Sequence, residues 1–131
     1  MLKQFFAIAI VFLINLASTN LHAADAEKGK KLFKKCAACH NVAEGAAHKT
    51  GPNLWNIYGA KAAIQDGYKY SKWLKEANIV WDDKALTAWI AKKKVKAEYF
   101  GKDVKKSKMI FSGFKKPEQM VDLIAYLKTL K

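Results

Sequence analysis

The sequence predicts an all-α single domain, and three observations carry that prediction. Apolar residues return at helical spacing in three separate stretches, around Gly29 to Cys36, Leu86 to Ile90 and Met120 to Leu127. Acidic residues or a proline stand where each stretch begins, as helix starts favour. No stretch alternates polar and apolar residues as a half-buried strand would. A chain of 131 residues, 51% of them hydrophobic, has material for one core and little more. Two cysteines and two prolines exclude a disulfide-stapled or collagen-like scaffold, and the apolar content excludes a disordered tail.

The first element is an address. Lys3 is the only charged residue before Asp25, an apolar run extends from Phe5 to Ala17, and Leu21-His22-Ala23 precedes Ala24. This order reads as a secretory signal peptide over residues 1–23, with cleavage after Ala23 or, as the close alternative, after Ala24. A domain over 24–131 remains. An uncleaved membrane anchor is the poorer fit, because the run falls short of the ~20 residues that span a bilayer and Asn15 interrupts it. All 24 basic residues are Lys, against 11 Asp plus Glu, for a net charge of +13 that becomes +12 without Lys3. Nucleic acid is the usual partner of so basic a domain. An exported chain seldom meets it, however, and this one has no Arg for bidentate contacts to bases.

The helices follow in order. Asp25 is placed to cap a first helix, with Glu27 in its opening turn and Gly29, Leu32, Phe33 and Cys36 along one face. Residues 41–67 hold Gly45, Gly51, Gly59, Gly67 and Pro52, a loop composition. A short helix is expected over Ser71 to Ala77. Asp82 and Asp83 open another, with Leu86, Trp89 and Ile90 on one face and Lys92, Lys93 and Lys94 at its end. Val95 to Lys108 reads as long, basic and irregular. Pro117 starts the last helix, whose stripe is Met120, Leu123, Ile124 and Leu127.

One motif carries chemistry. Cys36-Ala37-Ala38-Cys39-His40 is the C-x-x-C-H arrangement of covalent haem attachment. Two thiols about one helical turn apart point to one side and can add to the two vinyl groups on one porphyrin edge, which holds His40 beneath the iron. A thioredoxin-type dithiol would need a βαβ context. A zinc site would need about four ligands, which two Cys and few His do not supply.

The sixth iron position has several candidates: Met109, Met120, His48 and, more weakly, any Lys. Met120 lies on the apolar stripe of the last helix and reads as core filler. His48 precedes Gly51-Pro52, close to the proximal ligand, and reads as structural. Met109 sits in a loop, Lys-Ser-Lys-Met-Ile-Phe, where no helix explains a buried Met and where the chain has travelled far from His40. It is the expected distal ligand.

With these residues in place, the chain over 24–131 resembles a class I c-type cytochrome, similar to mitochondrial cytochrome c and its soluble bacterial counterparts. Gly29 and Phe33 resemble the first-helix positions that cross the last helix, and Leu123 to Leu127 resembles that helix's ending. His48 to Leu54 resembles the proximal loop, which implies that the Pro52 carbonyl accepts from His40. Tyr70 and Trp81 resemble the donors to a buried haem propionate, and Met109 to Gly113 the distal loop. Ala60, Leu74 and Trp89 depart from the mitochondrial pattern, which has Arg, Asn and Tyr there, the Tyr lying near the Met sulfur. The segment between Trp89 and Met109 is also longer than in the mitochondrial form.

The resemblance implies a small cytochrome c fold with helices around one haem c, bound through Cys36 and Cys39 and ligated by His40 and Met109. It implies a periplasmic, monomeric electron carrier, not an enzyme, working between a quinol-cytochrome c oxidoreductase and a terminal oxidase, or their photosynthetic equivalents. Thioether opposite imidazole raises the potential relative to bis-His iron, as suits that span. Lys35, Lys49, Lys108, Lys115 and Lys116 flank the expected haem edge and would steer the carrier to acidic partner surfaces. Two other classes remain distinguishable: a ligand-binding or peroxidase-like haem protein, which needs the Met109 bond absent or labile, and a tethered carrier, which differs only at the N-terminus.

Overall fold

The computed structural model describes residues 22–131. The leader expected over 1–23 lies outside the described residues except for His22 and Ala23. Among the described residues five α-helices run in the order α1 (Ala26–Leu32), α2 (Lys72–Glu76), α3 (Asp83–Ile90), α4 (Lys93–Phe100) and α5 (Pro117–Lys128). Short 3₁₀ segments follow α1 (Phe33–Lys35) and α4 (Lys102–Lys106). Among the described residues extended pairing is limited to two isolated bridges, Lys61 with Val80 and Ala91 with Phe114. Nor is any helix there long and apolar enough to cross a membrane.

Local chemistry sets the helix starts. The Asp25 carboxylate accepts from the Lys28 amide, Ser71 Oγ from Leu74 and the Asp82 carboxylate from Ala85, each satisfying an amide that the helix itself leaves free. Pro117 opens α5, where its missing N–H costs nothing.

α1 crosses α5, and this crossing anchors the fold. Gly29 is buried in it. A Cβ there would lie 1.9 Å from the Asp122 carbonyl oxygen and 2.8 Å from Tyr126 Cβ, so the two backbones meet where only glycine fits. Phe33 packs on Tyr126 with ring centroids 5.5 Å apart. Leu123, Ile124 and Leu127 turn the α5 stripe into the core, joined by Phe33, Leu86, Ile90 and Phe114.

The region after α3 differs from expectation. α3 ends at Ile90, not at the lysines, because the distal loop takes over its end: the Phe114 amide donates to the Ile90 carbonyl at 2.9 Å. Lys92 is extended, and Lys93 to Phe100 then forms α4. The supposedly irregular stretch is thus helix followed by a 3₁₀ turn. Its periodicity was hidden because the inward face is Lys96, Ala97 and Phe100, with a lysine at the position an apolar residue would normally mark.

Candidate haem site

Cys36 and Cys39 sit in the tight turn that ends the first helical segment. The amides of Cys36, Cys39 and His40 donate to Phe33, Cys36 and Cys36 carbonyls at 2.7, 3.0 and 2.9 Å. Both thiols are free, Cys36 half-buried and Cys39 exposed. Burial pushes the Cys36 thiol up to about 11, with Cys39 adding to the rise.

The turn delivers His40, buried at 8% exposure, into a pocket made by Gly51 and Pro52. Its Nδ1 lies 2.7 Å from the Pro52 carbonyl oxygen. A carbonyl only accepts, so Nδ1 carries the proton and Nε2 keeps a lone pair free for a metal. Burial also lowers the imidazole pKa, which favours this neutral form. A Cβ on Gly51 would lie 2.3 Å from His40 Cε1, so the glycine is a seat for the ring.

Two residues brace this loop. Asn53, buried at 4% exposure, donates to the Ala43 and Ala46 carbonyls at 2.7 and 2.9 Å and accepts from the Trp55 amide at 2.8 Å. His48 accepts from the Asn53 amide at Nδ1 and lies 2.7 Å from the Asp66 carbonyl through Nε2. Both nitrogens of His48 are therefore engaged in holding the loop, in keeping with a structural part. Met120 packs half-buried against the core.

Met109 faces the same cleft as the two cysteines and His40. Trp89 Nε1 donates to Met109 Sδ at 3.0 Å, so the residue that replaces the mitochondrial-type Tyr still reaches the sulfur. The indole is itself boxed in. Trp81 and Phe100 meet it edge-on at 5.0 and 5.6 Å, Trp73 stacks at 6.4 Å, and Lys96 Nζ stands 3.4 Å from its centroid. Trp73 and Lys96 were not foreseen, because nothing in their local pattern points to Trp89.

These groups border a cavity of about 370 Å³ whose wall is mainly apolar, including Leu54, Ile57, Leu74, Leu86 and Phe111. That size suits a cofactor. Tyr70 and Trp81 line it as well, and Tyr70 Oη accepts from the Gln65 amide at 3.3 Å. Lys35, Lys61 and Lys108 reach its rim; Lys108 Nζ donates to the Lys69 carbonyl at 2.9 Å and Lys49 Nζ to the Ala37 carbonyl at 2.7 Å. Lys61 was absent from the expected set. A thiol pair on one turn, an imidazole with a free Nε2, a thioether and an apolar slot together fit a haem. Among the described residues no group of three or more His, Cys, Asp or Glu could hold a metal ion.

Comparison with known proteins agrees. The Cytochrome c family model matches residues 26–131. Cytochrome c of Guizotia abyssinica is 42% identical over 107 residues, covering 81% of this chain and 90% of that protein. The Theileria parva cytochrome c is 45% identical over 105 residues, covering 79% and 84%. Among solved structures, cytochrome cH from Methylobacterium extorquens superposes with a TM-score of 0.67 at 38% identity, covering 81% of this chain and 99% of that one. On fold, motif and kinship the chain belongs to the cytochrome c family: it is a class I c-type cytochrome that carries one covalently bound haem c and transfers single electrons.

Proposed function

We propose that the chain is a periplasmic shuttle whose haem, attached at Cys36 and Cys39, is ligated by His40 and Met109 and exchanges electrons with membrane redox complexes through acidic docking surfaces. The observation that carries the ligand assignment is the pairing of two prepared donors on one cleft. His40 has its Nδ1 proton committed to Pro52, and Met109 has its sulfur held by Trp89. The haem supplies the one-electron couple when bound.

The protein's own residues supply the rest. Pro52 and Gly51 fix the imidazole so that its Nε2 needs no reorientation on electron uptake. Trp89 fixes the thioether in the same way. Leu54, Ile57, Leu74 and Phe111 keep water from the slot, which holds the reorganisation of charge small. With both ligands in place the bound haem would offer no open position for oxygen or peroxide, which makes the reading a carrier and not an enzyme. Lys35, Lys61 and Lys108 at the rim attract an acidic surface, and hydrated ammonium groups let go of it quickly.

Export rests on the sequence of residues 1–23, and the upstream and downstream complexes rest on the family. A quinol-oxidising complex and a terminal oxidase are the partners we assign, with the mature domain at 24–131 acting as a monomer.

An absorption spectrum tests the ligand assignment. Ferric protein should show a sulfur-to-iron charge-transfer band that Met109→Ala abolishes, and the variant should then bind carbon monoxide when reduced. A wild-type protein that lacks the band, or takes up carbon monoxide readily, overturns the reading. Exchange rates with a membrane complex should fall as salt rises, and mass spectrometry should find residues 1–23 removed.

A further inference from the structure

Lys96 is the only buried lysine among the described residues, at 8% exposure. Its Nζ stands 3.4 Å from the centroid of the Trp89 indole, whose N–H donates to Met109 Sδ at 3.0 Å. Trp73, Trp81 and Phe100 also pack against the ring. A cation is therefore held one aromatic ring away from the thioether, in surroundings where screening by water is weak.

We propose that the Lys96 ammonium, acting through the Trp89 indole, raises the reduction potential of this carrier, so that Lys96 is a positioning and electrostatic residue of the electron-transfer site. The proposal rests on the reading of Met109 as distal ligand.

Two effects act in the same direction. A fixed positive charge stabilises the site more after it has gained an electron than before. Charge over the indole face also polarises the N–H toward the sulfur, which draws electron density from the thioether and weakens its support of the ferric state. No bond is made or broken; an electron arrives from the donor complex. Where Lys96 is partly deprotonated, reduction raises its affinity for a proton, which is taken from solvent.

The pH at which this happens is set by burial, which brings the amine down to about 8. No charged neighbour contributes to the shift. On its own helix Lys92, Lys93 and Lys94 are exposed, Glu98 pairs with Lys94 at 4.0 Å, and Tyr99 is exposed. In the following 3₁₀ turn Asp103 pairs with Lys106 at 3.1 Å, with Lys102 and Lys105 exposed. On α3, Asp83 is bridged to Lys128 at 2.7 Å and Lys84 is exposed.

The test is spectroelectrochemical titration of wild type, K96M and K96R holoprotein from pH 6 to 10, with the ferric sulfur-to-iron band followed throughout. K96M should have the lower potential at pH 6.5, the gap should close as pH rises through about 8, and K96R should keep the high value throughout. A mutation-free check is carbon-13 NMR of labelled lysine, in which the Lys96 amine should titrate at higher pH in the ferrous than in the ferric protein. With the band intact in wild type and K96M, equal potentials, a pH-independent gap, a shift shared by K96R, or one pKa in both redox states each overturn the role of Lys96 and leave Met109 ligation standing. Absence of the band in wild type removes both.

Discussion

The segment from Cys36 to Leu54 and the surroundings of Met109 each hold one side chain in place, His40 and Met109, by opposite means. Around His40 the chain ties itself: the Gly51 amide donates to the Cys39 carbonyl at 2.8 Å, the Leu54 amide to the Asn41 carbonyl at 2.8 Å, and the ring rests on Gly51 and Pro52. Around Met109 the work is done by side chains from distant elements, Trp73 on α2, Trp89 on α3 and Lys96 and Phe100 on α4. A backbone seat has no adjustable part, whereas a stack of side chains can be altered one group at a time. Under the proposed ligation, the first arrangement secures geometry and the second is where the potential would be tuned.

Breaking the seat should have the largest consequence. Gly51→Ala places a Cβ 2.3 Å from His40 Cε1, so ring or loop must move. We expect a stability loss of about 3 kcal/mol in denaturant unfolding of the holoprotein, with a perturbed haem spectrum. Asn53→Ala strips the bonds to Ala43, Ala46 and Trp55 without adding bulk. A loss of about 2 kcal/mol is expected, since buried polar groups are left unpaired. Trp89→Phe keeps an aromatic ring in the box but removes the donor to Met109 and part of the packed indole. It should cost about 1–2 kcal/mol, retain the sulfur-to-iron band and lower the potential measurably. If Trp89→Phe destabilised the protein as much as Gly51→Ala, or left the potential unmoved, the contrast between a rigid and a tunable side would be lost.

Part of the site was legible because its chemistry is consecutive. C-x-x-C-H names its cofactor within five residues, and Asp25, Asp82 and Pro117 mark helix starts by interactions reaching only a few residues ahead. Gly29 was also readable, because helical spacing placed a residue without a side chain on an inward face. α4 was not. Its buried position is occupied by Lys96, and a lysine facing inward looks from sequence like a lysine facing water. The buried Asp122 escaped notice likewise. Its carboxylate takes the Asp25 amide at 2.9 Å and His22 Nε2 at 2.8 Å, partners about a hundred residues away.

The sequence alone determined the cofactor, its attachment points and the helical class, because each depends on spacing within a turn or two of chain. Tertiary structure decided where α3 stops, which side chains enclose Trp89 and that Lys96 is buried against it. Those outcomes depend on which segments meet across the core, and the free energy of a charge or a donor is set by what it meets there.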